Sequence, residues 1–148
     1  MAGIASIIDG ISGCAKLAEA MDSESSPLVL VVDDDPAMRD SLCVVLESAG
    51  YRTLTAENGR SAIAQLAARP ALVLTDVNMP GSSGLEVINA IRFSGDHIPV
   101  IAMSNWQPAG RYDPLEIARK LGAVQALHKD KMEDLLSVIE RVLGAPKP

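Results

Sequence analysis

The sequence predicts an α/β fold: a doubly wound, five-stranded parallel sheet with helices on both faces. Three observations predict it. Short continuous apolar runs alternate with longer segments of helical period. The runs at 28–32 and 71–75 show no in-out alternation, as strands buried on both faces require. The strand-helix unit repeats five times between residues 28 and 144, and the connections are long enough for crossover helices.

The elements follow in order. Leu28 to Val32 is the first strand. Asp35 then reads as a helix cap, with Pro36 at the first helical position. Met38, Leu42, Val45, Leu46 and Ala49 form a helical stripe that Gly50 stops, and Cys43 beside it reads as packing material. Tyr51 to Thr55 is a second strand. Asn58 caps a helix carrying Ala62, Ile63 and Leu66, which ends near Arg69-Pro70. Ala71 to Thr75 is the third strand, followed by a turn with Pro80, Gly81 and Gly84. Leu85, Ile88 and Ile91 mark the third helix, and Ile98 to Met103 the fourth strand. Asp113 and Pro114 open the fourth helix, and Val124 to His128 is the fifth strand. Met132, Leu135, Leu136, Ile139, Val142 and Leu143 give the last helix its apolar face.

The chain has 148 residues, enough for one domain, and 48% of them are apolar. A net charge of -6 and the lack of a basic tract argue against a nucleic-acid footprint. Cys14 and Cys43 form neither a disulfide framework nor a C-x-x-C pair, which fits a reducing, cytoplasmic setting. No apolar run reaches the length of a membrane span, so no membrane association is expected. Ile11 to Cys14 superficially resembles a lipoprotein cleavage site, but no Lys or Arg precedes it. Residues 1–27 read as a separate N-terminal extension, helical or disordered. Ile4, Ile7, Ile8 and Ile11 recur at helical spacing there, Gly10 and Gly13 weaken it, and Asp22 to Pro27 reads as a linker. Met21 as the natural start is a further reading. Residues 28–144 form the domain and 145–148 a short tail, which argues against an attached DNA-binding domain.

In an open parallel sheet, ligands bind beyond the carboxyl ends of the strands. There the first strand delivers Asp33-Asp34-Asp35, the third Asp76, the fourth Ser104 and the fifth Lys129. Crowded carboxylates resist joint ionisation, and a bound cation removes that penalty. The ligands are oxygens without nearby His or Cys, which favours Mg2+ over Zn2+. A carboxylate can attack phosphorus, while a metal and a lysine neutralise the transferring oxygens and a hydroxyl donates to one of them.

These segments carry a resemblance. LVLVVDDDPAMRDSL (28–42), TDVNMPGSSGLE (75–86), PVIAMSN (99–105) and LGAVQALHK (121–129) resemble the receiver domain of bacterial two-component response regulators. The resemblance implies the flavodoxin-like strand order 2-1-3-4-5. It implies that Asp76 is the phosphoacceptor, Asp34 a direct Mg2+ ligand and Asp33 a neighbouring acid that helps hold the metal. Asn78 would complete the metal site with its backbone carbonyl, Ser104 would sense the phosphoryl group, and Lys129 would pair with it. The donor would be a phosphohistidine on a histidine kinase or a histidine phosphotransfer protein. Enzymatic activity would extend at most to autocatalytic phosphotransfer and autodephosphorylation.

The chain departs from the family pattern in four places. Asn105 stands where a small residue is usual, and Asp130 follows Lys129 where Pro is usual. A cis bond before Asp130 would cost roughly 3 kcal/mol, so a trans bond is expected. Asp130 to Glu133 reads as a capping box for the last helix. Ala126 replaces a ring that in the family moves inward on phosphorylation. Ser104 and Lys129 are 25 residues apart, a longer spacing than usual, and the intervening loop carries Trp106 and Tyr112. Contact with an unknown downstream protein is expected around 105–120, with Trp106 folding back onto the domain as the alternative. A homodimer is left open. Two other functions compete with the switch: a phosphorylation-independent docking module, and a small Mg2+-dependent phosphohydrolase with an aspartyl-phosphate intermediate.

Overall fold

Val29, Leu30, Val31 and Val32 are all completely buried, so strand β1 (Leu28–Val32) is covered on both faces. The computed structural model describes residues 26–77, 84–95, 97–104 and 113–144, with the side chains of Asp130 and Lys131 excepted. Around β1 lie β2 (Arg52–Ala56), β3 (Leu72–Asp76), β4 (Val100–Ser104) and β5 (Gln125–His128). All pairings are parallel and the order is β2-β1-β3-β4-β5, as expected from the sequence. β2 and β3 lie one residue later than the sequence patterns suggest, β4 begins two residues later and ends one later, and β5 begins one later. Asp76 and Ser104 therefore end their strands as ladder residues.

Alternate residues of each strand feed two cores. Leu30, Val32, Val73, Val100 and Ala102 face helices α2 (Gly59–Gln65), α3 (Gly84–Ser94) and α4 (Pro114–Leu121), which contribute Ala62, Val87, Ile88, Ile91, Leu115 and Ala118. Val29, Val31, Leu72, Leu74, Ile101 and Met103 face α1 (Pro36–Ser48) and α5 (Leu135–Leu143), which contribute Leu42, Leu46, Leu135, Val138 and Ile139. Burying each large aliphatic side chain is worth about 1.5–3 kcal/mol. Cys43 packs at the edge of the second core, and burial pushes its thiol pKa up, so it is packing material and not an activated nucleophile.

The helix starts follow the predicted caps. The Asp35 carboxylate accepts from Ala37 N at 3.1 Å, Asn58 from Ser61 N at 2.8 Å and Asp113 from Leu115 N at 3.1 Å. Pro36 and Pro114 follow two of them, where no N–H is needed. At the far end of α3, Arg92 donates to the Leu121 carbonyl, tying α3 to the end of α4.

Two expectations are corrected. Gly84 is not part of a turn but the first residue of α3. The last α-helix does not start at Asp130, where a capping box was expected: Lys129–Asp134 is a 3-10 turn, and the α-helix begins at Leu135 without a side-chain cap. A cap residue needs extended backbone, and here the chain is already helical from Lys129. No cis peptide occurs among the described residues, in line with the trans bond expected before Asp130. The expectations for residues 1–25, for Asn105 and for the loop with Trp106 and Tyr112 lie outside the described residues. Among the described residues, no helix is long and apolar enough to cross a membrane.

Candidate functional site

The chain runs from β1 to β2 on one side and then returns to place β3 on the other. At that reversal the crossover connections diverge and leave a crevice beyond the carboxyl ends of β1 and β3. Asp33 and Asp34 follow β1 directly, and Asp76 ends β3. Asp33 and Asp76 are buried, whereas Asp34 is exposed. One oxygen from each of these three carboxylates lies within 4.8 Å of the others.

Each acid is held by its local backbone. Asp33 N donates to the Ala56 carbonyl at 3.1 Å, which extends the β1–β2 ladder by one step. The other end of the residue turns the chain: its Oδ1 accepts from Asp35 N at 3.0 Å. Asp35 points away and caps α1, so three consecutive acids do different work. Val77 N donates to the Met103 carbonyl at 3.0 Å, which fixes the strand end just past Asp76.

Lys129 enters from the far side of the sheet. Its Nζ donates to Asp33 Oδ2 at 2.7 Å and to Asp76 Oδ2 at 3.0 Å. Burial pulls the ammonium toward its neutral form. The hydrogen bonds and charges of Asp33 and Asp76 outweigh that and hold its pKa above the usual lysine range. Ser104 is buried at the end of β4, in register with His128 and one residue beyond the Met103 that pairs with Asp76. The structure thus brings Asp33, Asp34, Asp76, Ser104 and Lys129 to one edge. Asn78 lies outside the described residues.

The donor set fits a small divalent cation. It offers carboxylate oxygens alone, two of them buried and one open to solvent, which leaves room for waters on the exposed side. Lys129 bridges Oδ2 of Asp33 and Oδ2 of Asp76, and Oδ1 of Asp33 also accepts from Asp35 N, which leaves the exposed Asp34 carboxylate as the most open of the three.

Sequence reasoning missed three contributors. Arg39 on α1 donates from Nη1 to the Asp33 carbonyl at 2.8 Å. The Thr75 hydroxyl donates to the Asp76 carbonyl at 3.0 Å. Gly84 packs against that same carbonyl. The first two are bonds to main-chain oxygens and leave no motif. The third had a signal, a glycine eight residues after Asp76, whose meaning depends on where α3 begins.

The family profile for the response regulator receiver domain matches residues 29–140. The chain belongs to this family. As a receiver domain it is 36% identical over 127 residues to the transcriptional regulatory protein FixJ of Bradyrhizobium diazoefficiens, covering 81% of this chain and 58% of that protein. It is 34% identical to the sporulation initiation phosphotransferase F of Bacillus subtilis, covering 65% of this chain and 76% of that one. The receiver domain spans little more than half of FixJ and smaller shares of several other relatives. The chemotaxis protein CheY4 of Vibrio cholerae superposes with a TM-score of 0.71 at 30% identity, covering 80% of this chain and 99% of that one.

Proposed function

We propose that this receiver domain is a phosphoacceptor switch in which Asp76 takes a phosphoryl group from a phosphohistidine. The observation that carries the reading is the buried Asp76 carboxylate, 3.0 Å from Lys129 Nζ and grouped with Asp33 and Asp34 in the crevice. A carboxylate oxygen of Asp76 forms a bond to phosphorus as the phosphorus–nitrogen bond of the donor breaks. A donor imidazole protonated on its other ring nitrogen leaves as neutral imidazole. Asp33, Asp34, Asp76 and the Asn78 carbonyl would hold Mg2+, which supplies charge neutralisation for the transferring oxygens. Lys129 offers a second positive charge at the same edge, and the Ser104 hydroxyl at the end of β4 would donate to a phosphoryl oxygen.

A histidine kinase or a histidine phosphotransfer protein is the donor in this reading, and output runs through protein contact in the region 105–120. Ala126 sits against the α2–α3–α4 core and has no ring to rotate, so the report travels by another route. Intact mass with Mg2+ and acetyl phosphate tests the acceptor. The unsubstituted chain is expected to gain one phosphoryl group and Asp76→Ala none. Equal labelling of both chains, or labelling of neither, would defeat the reading.

A further inference from the structure

Thr75 precedes Asp76 and is completely buried. Its neighbours two residues away, Val73 and Val77, belong to the core beneath α2, α3 and α4. A hydroxyl in such an apolar layer is costly unless it is hydrogen-bonded. This one donates to the Asp76 carbonyl, its own neighbour in sequence, at 3.0 Å.

Gly84 approaches the same carbonyl beside that hydroxyl. A Cβ at this position would stand 2.2 Å from Asp76 O, 3.0 Å from Asp76 C and 2.8 Å from Thr75 Oγ1. Two of those atoms are backbone and cannot swing aside. Only a residue without a side chain lets the start of α3 lie so close. The Asp76 carbonyl is therefore held by a hydroxyl and crowded beside it by a bare helix start. The carboxylate hangs from that peptide through its two side-chain torsions. Any rotation of the peptide swings the reacting oxygen relative to Asp33, Asp34 and Lys129.

We propose that Thr75 is a positioning residue for phosphoryl transfer: its hydroxyl, packed beside Gly84, fixes the Asp76 peptide and so aims the carboxylate. The inference rests on Asp76 being the acceptor. It assigns work to two residues that touch neither phosphorus nor metal.

The test follows the rate of phosphoryl uptake from acetyl phosphate by intact mass, across a Mg2+ series. Thr75→Val keeps the shape and removes the donor, whereas Thr75→Ser keeps the donor. Uptake at saturating Mg2+ is expected to fall about tenfold in Thr75→Val, the scale on which supporting contacts around a site act. The half-saturating Mg2+ concentration is expected to stay put, because Asp33 and Asp34 are untouched. Thr75→Ser should restore uptake to near that of the unsubstituted chain, and Gly84→Ala should be slow like Thr75→Val. A purely structural role would lower the melting temperature without separating uptake rate from Mg2+ dependence. Unchanged uptake in Thr75→Val overturns the inference, as does a serine variant as slow as the valine one. Should the valine variant not fold, Thr75→Ala is compared with Thr75→Ser by the same criteria. If the unsubstituted chain itself takes up nothing, the acceptor reading has failed. If it is labelled normally and Thr75→Val keeps pace, only the present inference has.

Discussion

Lys129 shows how one side chain answers to several others at once. Its ammonium bridges Asp33 and Asp76, and those bonds and charges, acting against burial, raise its pKa. A raised pKa in the folded chain means stability that is complete below the ordinary lysine value of about 10.4 and lost as pH climbs through the raised one. Lys129→Met removes that contribution and leaves two buried carboxylates facing each other. Its urea midpoint is expected to lie below that of the unsubstituted chain at pH 8, with the gap narrowing above about pH 10.4. A gap that is constant across that range would argue against the linkage. The acids and the lysine were legible in the sequence because each ends a strand, and strand ends share an edge. The bond from Arg39 to the Asp33 carbonyl was not legible, since any sequence supplies a carbonyl at every residue.

Among the elements, the β1–α1 junction is the most instructive. Asp33, Asp34 and Asp35 are the same residue three times, yet one is buried under Lys129, one is open to solvent and one caps a helix. The different backbone directions at a strand end, a bend and a helix start separate them. Asp35→Ala should therefore cost about 1 kcal/mol of stability, as a lost cap does, and leave the response to Mg2+ intact. Asp34→Asn should do the opposite. The unsubstituted chain is expected to gain about 2.7 kcal/mol when Mg2+ reaches one hundred times its Kd, and this variant far less. Urea titrations with and without Mg2+ check both halves of the contrast. The caps at Asp35, Asn58 and Asp113 were readable because cap chemistry is local. The helix start expected at Asp130 was overruled: the chain turns helical at Lys129, directly after β5, the extended residue before that turn is His128, and Asp130 lies inside the turn.

On the scale of the whole molecule, the fold is two apolar layers divided by one sheet, and the site sits where the layers meet the crevice. Ile101 is the second residue of β4, completely buried on the α1–α5 side. Ile101→Ala is expected to cost about 2–5 kcal/mol in a single cooperative transition, measured by urea denaturation. Two separate transitions would mean that the layers melt independently. The order of strands followed from the resemblance and not from the hydrophobic pattern, which is equally satisfied by other parallel arrangements. Gly84 marks the same boundary, because its closeness to Asp76 exists only once α3 has docked on β3. The bond between Lys129 and Asp33 joins residues 96 positions apart. During synthesis from the N-terminus, the acids of β1 and β3 are made long before their lysine. The growing chain thus carries unneutralised carboxylates, which disfavour closing the crevice, until its fifth strand arrives. The site becomes whole late, with α5 alone still to be made, so a chain that stops short of Lys129 carries the acids of the pocket without the cation that joins them.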